Sequence, residues 1–119
     1  MNFTKLLERT APLAIPYGDD TLNVEYRVET MTPAYIEQIE ALTSKSDSKE
    51  KASDADVQLV RDLVARWDLY EETTSDAGEA IQTILDVSVT VLKRCSYKFL
   101  AAIGNAVLND IANPTSASS

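Results

Sequence analysis

The side chains of this chain that could do chemistry are mostly carboxylates, and few are usefully paired. The closest pairs are Asp19 with Asp20, Glu71 with Glu72, and Asp54 with Asp56. Neighbouring carboxylates can share a proton or hold a hard cation. Asp19 and Asp20 directly follow Gly18, however, and that composition predicts solvated turn formers. A calcium loop needs oxygen ligands at alternate positions around a glycine bend. In the stretch from Glu71 to Glu79 the glycine falls at position 78, which does not fit that pattern.

The sequence has no histidine, the commonest metal ligand and general base. Its one cysteine, Cys95, has no intrachain disulfide partner. Without a histidine it can neither complete a standard zinc site nor be activated as a nucleophile. In an apolar helical pattern it reads as a small hydrophobe. Serine, threonine and tyrosine are plentiful, but no base is placed to activate them. The expectation is a non-enzyme with no metal and no cofactor.

Function is then expected to lie in a surface. The chain has 119 residues, 45% of them hydrophobic, enough for one domain with a real core. Net charge is −8 and the pI is near 4.4. Nucleic-acid backbones and anionic membranes are therefore not expected partners, since both are bound through Lys and Arg. The charge is uneven. Residues 1–79 carry eight basic and seventeen acidic side chains, residues 80–119 three and two. That split predicts an acidic body carrying a nearly neutral, apolar C-terminal element. No apolar run is long enough to span a bilayer. The start, Met1 to Arg9, is too short and too charged for a signal peptide, which predicts a cytoplasmic protein.

Several elements follow from pattern. Phe3, Leu6 and Leu7 fall at helical spacing and predict a short helix over residues 2–10. A hairpin follows. Leu13, Ile15 and Tyr17 alternate, Gly18-Asp19-Asp20 turns, and Leu22, Val24, Tyr26 and Val28 alternate with Asn23, Glu25, Arg27 and Glu29. Pro12 and Pro16 assign the first strand to an edge. Thr32 and Pro33 open a helix that should end near Thr43. Residues 44–53 have the composition of a polar linker. Ser53 or Asp54 then caps a helix with Val57, Leu59, Val60, Leu63, Val64 and Trp67 on its apolar face. Trp67 is the only tryptophan, a large core anchor whose indole N–H needs a partner. Trp67 and Leu69 are both expected in the core. Glu71 to Gly78 reads as a polar loop.

The last third predicts one long helix. Val87 to Val91 alternates in the manner of a strand. Over a longer window, though, Ile81, Leu85, Leu92, Phe99 and Ile103 share one helical face, and the longer pattern favours helix. A helix from Glu79 to Asn113 would be about 50 Å long, so either a break near Gly104 or an overhang used by a partner is expected. Its apolar residues occupy more than one face. Either the preceding elements cover them all, or part of the helix binds another copy or a helical client. The residues assigned to that partner-binding face are Phe99, Leu100, Ile103, Val107, Leu108 and Ile111.

Three segments taken in order carry a resemblance. They are Asp20-Thr21-Leu22-Asn23-Val24-Glu25-Tyr26-Arg27, then Met31-Thr32-Pro33 opening a helix, then Leu63-Val64-Ala65-Arg66-Trp67-Asp68-Leu69 followed by an acidic turn. Over about residues 10–110 the chain resembles the tail assembly chaperones of long-tailed bacteriophages. The final helix of such proteins typically starts with proline and threonine, and here Ser75-Asp76-Ala77-Gly78 is followed by no proline. The resemblance implies a protein of the host bacterial cytoplasm that binds the tape measure protein and keeps it soluble. It also implies help in recruiting tail tube subunits, departure before the virion is complete, and in many relatives a longer frameshifted form. Rival readings are a structural tail or connector subunit, an acidic chaperone of a secretion system, and an acidic mimic of nucleic acid. The alternating charge signs from Lys45 to Glu50 argue against the last.

The expected architecture is α+β and mainly α: a small N-terminal β-hairpin packed with about four helices, the last of them long. Residues 1–113 form one compact domain with the linker at 44–53, and 114–119 form a disordered tail. The partners are the tape measure protein and the tail tube subunit, with self-association a second use of the same surface, and no nucleic acid or membrane.

Overall fold

The computed structural model describes residues 1–44 and 52–112. Most of the expected linker and the whole expected tail lie outside those residues. A short helix α1 (Phe3–Leu7), with Asn2 accepting the Thr4 N–H at its start, leads into strands β1 (Thr10–Tyr17) and β2 (Asp20–Arg27). These pair antiparallel from Tyr17↔Asp20 to Thr10↔Arg27. The two-residue connection places Gly18 at φ +62, the left-handed region that glycine enters at least cost. The period-two pattern holds: Leu22, Val24 and Tyr26 are buried, and the residues between them face outward. β1 is an edge, where the missing N–H groups of Pro12 and Pro16 are tolerated.

Helix α2 (Pro33–Ser44) begins as its sequence dictates, with Thr32 Oγ1 accepting the Tyr35 N–H at 3.2 Å. Helix α3 (Asp54–Leu63) opens on a reciprocal box. Ser53 accepts the Asp56 N–H, and the Asp56 carboxylate accepts the Ser53 N–H.

The first correction lies at the end of α3. Trp67 and Val64 are not on a helix. The chain leaves α3 at Leu63 and becomes β3 (Val64–Trp67), antiparallel to β2, giving a three-stranded sheet in the order β1-β2-β3. Arg27 fixes this exit by donating to the carbonyls of Asp62 (2.9 Å) and Val64 (3.2 Å). Tyr26 pairs with Val64, but Glu25 pairs with Arg66, so one extra residue bulges from β3. Val64 and Trp67 are three apart and would face opposite sides of a regular strand. The bulge turns both into the core.

The second correction is larger. Residues 79–113 are not one long helix, and the fold is not a single hairpin with about four helices. Strands β4 (Tyr70–Thr74) and β5 (Ala80–Ile84) form a second hairpin, a two-stranded sheet of its own. Its turn is closed by Ser75 N–H to the Glu79 carbonyl (2.8 Å) and needs Gly78 at φ +82. The polar segment read as a loop, Glu71 to Gly78, is therefore one strand and the turn. Only after it do helices return: one turn, α4 (Val89–Leu92), capped by Ser88, then α5 (Tyr97–Ala112), opened by Ser96. Of the alternating stretch Val87–Val91, residues 89–91 belong to that turn of helix and none to a strand. No break occurs at Gly104. α5 runs through it and uses it for close approach to α2, where a Cβ would stand 3.2 Å from methyl groups of both Ile39 and Thr43.

One core joins these parts. α5 packs on α2 and on β1, and Leu92, Leu100, Ile103 and Val107 are fully enclosed with Ile39, Val57 and Leu63. Three tyrosines tie the helices and sheet together by their hydroxyls. Tyr97 donates to the Leu42 carbonyl, Tyr35 donates to the Leu59 carbonyl, and Tyr26 donates to Asp110 Oδ2 at 2.6 Å. Burial and the Asp110 carboxylate push the Tyr26 phenol well above its ordinary range. No buried side-chain nitrogen or oxygen among the described residues lacks a partner.

Candidate partner-binding site

The site is built around Trp67-Asp68-Leu69, the joint between the two sheets. The indole Nε1–H of Trp67 donates to the Leu85 carbonyl at 2.7 Å, and the Leu85 N–H donates to the Leu69 carbonyl at 2.8 Å. Both backbone groups of Leu85 are thus held by this triplet, which pins the residue just after β5. Asp68 faces the other way and clamps Asn23 of β2. Its carboxylate accepts the Asn23 backbone N–H (2.8 Å) and side-chain amide (2.7 Å), while its own N–H donates to the Asn23 carbonyl (3.0 Å). These bonds hold the Asp68 carboxyl below its ordinary value, the Asn23 side chain contributing most. On the outer face of the same sheet Arg66 pairs with Glu25, and its hydrogen bond lowers the Glu25 carboxyl. Burial raises the Cys95 thiol, as suits a residue packed against the core rather than a nucleophile.

The joint leaves two features exposed. The first is the β4–β5 ribbon, whose ten strand residues are all exposed. Tyr70 and Ile84 face each other across it at 46% and 65% exposure, and Ile81 is 44% exposed. A two-stranded ribbon with both faces in water is marginal alone. It is tethered at its base by the joint and by the Arg94–Glu71 ion pair at 3.7 Å. From Tyr70 to Ile84 the sequence holds Glu71, Glu72, Asp76 and Glu79 and no basic residue.

The second is a groove of about 650 Å³ between the turn end of the first hairpin and the base of the ribbon. Tyr17, Leu22, Leu69, Tyr70 and Phe99 give it an apolar floor, and Asp20, Asp68 and Glu72 give it an acidic rim. Tyr17 and Phe99 meet edge to face, ring centroids 5.2 Å apart.

No family model, curated protein or solved structure matches this chain. The groove and ribbon are thus read on their own chemistry. The six residues expected to face a partner separate in the fold. Leu100, Ile103 and Val107 are fully buried in the chain's own core and do not reach the surface. Their assignment is corrected: α2, α3 and strand β1, which pack on α5, supply the cover. Phe99 and Leu108 are half-buried against the core, and Ile111 is 37% exposed near the end of α5. Only Phe99 lines the groove. Sequence reasoning missed Tyr17, Tyr70 and Ile84. The available signal was Tyr70 and Ile84 flanking an acidic, glycine-containing turn. No group of carboxylates and Cys that could hold a metal occurs among the described residues. No helix among them is long and apolar enough to cross a membrane.

Proposed function

We propose that this chain is an assembly chaperone of the phage-tail type. It binds a very long helical client, the tape measure protein, keeps it soluble until tail tube subunits polymerise around it, and leaves before the particle is complete. The observation that carries this reading is an apolar-floored, acid-rimmed groove beside an exposed ribbon, on a chain of net charge −8. Such a surface suits transient cover of a client's apolar stripe, and the charge keeps the complex dispersed. The segments that carried the resemblance lend further support. Asp20 to Arg27 and Leu63 to Leu69 lie far apart in sequence and come together through the Asn23–Asp68 clamp. Of the terminal helix α5, Phe99 lines the groove. No catalytic step is involved.

The test is affinity purification of the tagged chain from cells expressing its source operon, read by mass spectrometry, with a parallel assay of finished particles. The expected result is a very long helical protein in the eluate, more soluble when co-expressed with this chain, and no tagged chain in particles. Stoichiometric retention in particles would instead make it a structural tail or connector subunit. Recovery of only itself or a short secreted protein would refute the phage reading.

A further inference from the structure

Where the turn end of β1–β2 meets the base of β4, the concavity is of a size that takes a few large side chains. Tyr17, Phe99 and Tyr70 form its aromatic floor, and Asp20, Asp68 and Glu72 stand around it. Among the described residues, no Lys or Arg lines it. An aromatic floor favours apolar side chains and the flat or ammonium ends of Arg and Lys. A ring of carboxylates favours cations and repels anions. The two requirements are met together by one kind of ligand.

We propose that this groove docks an amphipathic helical segment of the client, presenting apolar residues about one turn apart with Lys or Arg beside them. The proposal rests on the chaperone reading and names the chemistry of the client segment that the chaperone recognises. A second copy of this chain is the poorer occupant. Each copy carries net charge −8, so association through this face would bring like-charged rims together. Two of the rim carboxylates already have structural work, since Asp20 accepts the Thr21 N–H at 2.8 Å and Asp68 holds Asn23. Among the described residues no cation pairs with Glu72, which leaves that carboxylate to the ligand.

The experiment uses the full chain, isotope-labelled, and three synthetic helical peptides of about five turns. They share one leucine stripe and differ only in its flanks: lysine, glutamine or glutamate. The lysine peptide is expected to bind saturably at low salt and to shift the amide signals of Tyr17–Leu22, Asp68–Glu72 and Phe99. The glutamate peptide should not bind. Glu72→Lys should weaken the lysine peptide by about fivefold or more at low salt, with the difference shrinking at high salt. Tyr70→Ala, at an exposed position outside the core, should weaken lysine and glutamine peptides alike. Equal binding by all three peptides overturns the proposal, as do shifts mapping to another face or the same amides moving with protein concentration alone. If Glu72→Lys with Tyr70→Ala folds and still captures the long helical client as well as the parent, the groove assignment falls and the chaperone reading stands. If the lysine peptide docks in the groove but no such client is ever captured, the groove stands and the phage reading falls.

Discussion

Replacing Trp67 with phenylalanine should loosen the second hairpin before it unfolds the domain. Two losses add. The indole N–H no longer reaches the Leu85 carbonyl, now 2.7 Å away, and a net hydrogen bond of this kind contributes about 1 kcal/mol. The smaller ring also leaves a void beneath β3. Full truncation of a buried Trp costs about 3–5 kcal/mol, so this partial one should cost about 1–2 kcal/mol. The sum, about 2–3 kcal/mol, is less than the roughly 5–15 kcal/mol of a typical domain, so the variant folds. Its melting temperature should fall by about 10–15 °C.

The assay is urea and thermal unfolding followed by far-ultraviolet circular dichroism, because the variant lacks the only tryptophan. Hydrogen exchange locates the effect. Amides of β4 and β5 and the Leu85 N–H, which donates to Leu69, should exchange faster than those of β1 and β2. A benzothiophene analogue at Trp67, which keeps the shape and lacks the N–H, should lose only the hydrogen-bond share of about 1 kcal/mol. A cost for Trp67→Phe under about 0.5 kcal/mol, the usual size of a surface substitution, would refute the reasoning. So would exchange that rises evenly over the whole chain.

Other perturbations test other joints. Gly104→Val should cost about 1–3 kcal/mol by overpacking the α2–α5 crossing, where even a Cβ would stand 3.2 Å from Ile39 and Thr43 methyls. Gly104→Ala should be nearly neutral, since a helix-propensity gain of about 1 kcal/mol offsets the tight contact; urea midpoints compare the two. Ser53→Ala should lower stability by about 1 kcal/mol through loss of the α3 cap, read as a shift in midpoint with unchanged slope. Asp68 has a lowered carboxyl pKa in the fold. Its contribution is therefore full above the ordinary aspartate value of 3.8 and is lost as pH falls through the folded value. Asp68→Asn should flatten that part of an acid titration of stability, and an identical acid limb in both proteins would contradict the assigned clamp.

The parts of the fold legible in the sequence were those with strong local signals. Alternation from Leu22 to Tyr26 with a glycine turn gave the first hairpin, although Val28 lies past the end of β2 in a 3-10 turn, and Thr32-Pro33 and Ser53 gave two helix starts. The misread parts share one cause. Val64 and Trp67 are three apart, the spacing of one helical face, and only a bulge lets a strand bury both. Ile81 and Leu85 likewise fit a helix by spacing, while β4 and β5 have no buried side to impose a period of two. A fully exposed ribbon carries no burial pattern to read. The partner surface was misplaced for another reason. Leu100, Ile103 and Val107 looked available because their spacing on α5 does not say that α2, α3 and β1 all pack on that helix. Those three elements take them, and the exposed large apolar groups include Tyr70, Ile81 and Ile84 on the second hairpin as well as Phe3 and Leu7 on α1.

The triplet Trp67-Asp68-Leu69 shows why a motif noticed for its composition need not be where a partner binds. Its residues serve two neighbours: Trp67 holds the Leu85 carbonyl and Leu69 accepts the Leu85 N–H, while Asp68 holds Asn23 of β2. Three chain segments meet there, and the ribbon has little else to fix its direction. Change at the joint should therefore act on binding at a distance, by moving Tyr70 and Glu72 relative to Tyr17 and Phe99. Change at Tyr70 or Glu72 should act on binding directly, with little effect on stability because both are exposed. Stability and peptide affinity measured on the same variants separate the two. Trp67→Phe should lower both, and Glu72→Lys should lower affinity alone. If Trp67→Phe lost stability yet bound the lysine peptide as tightly as the parent, the joint would not be what sets the groove.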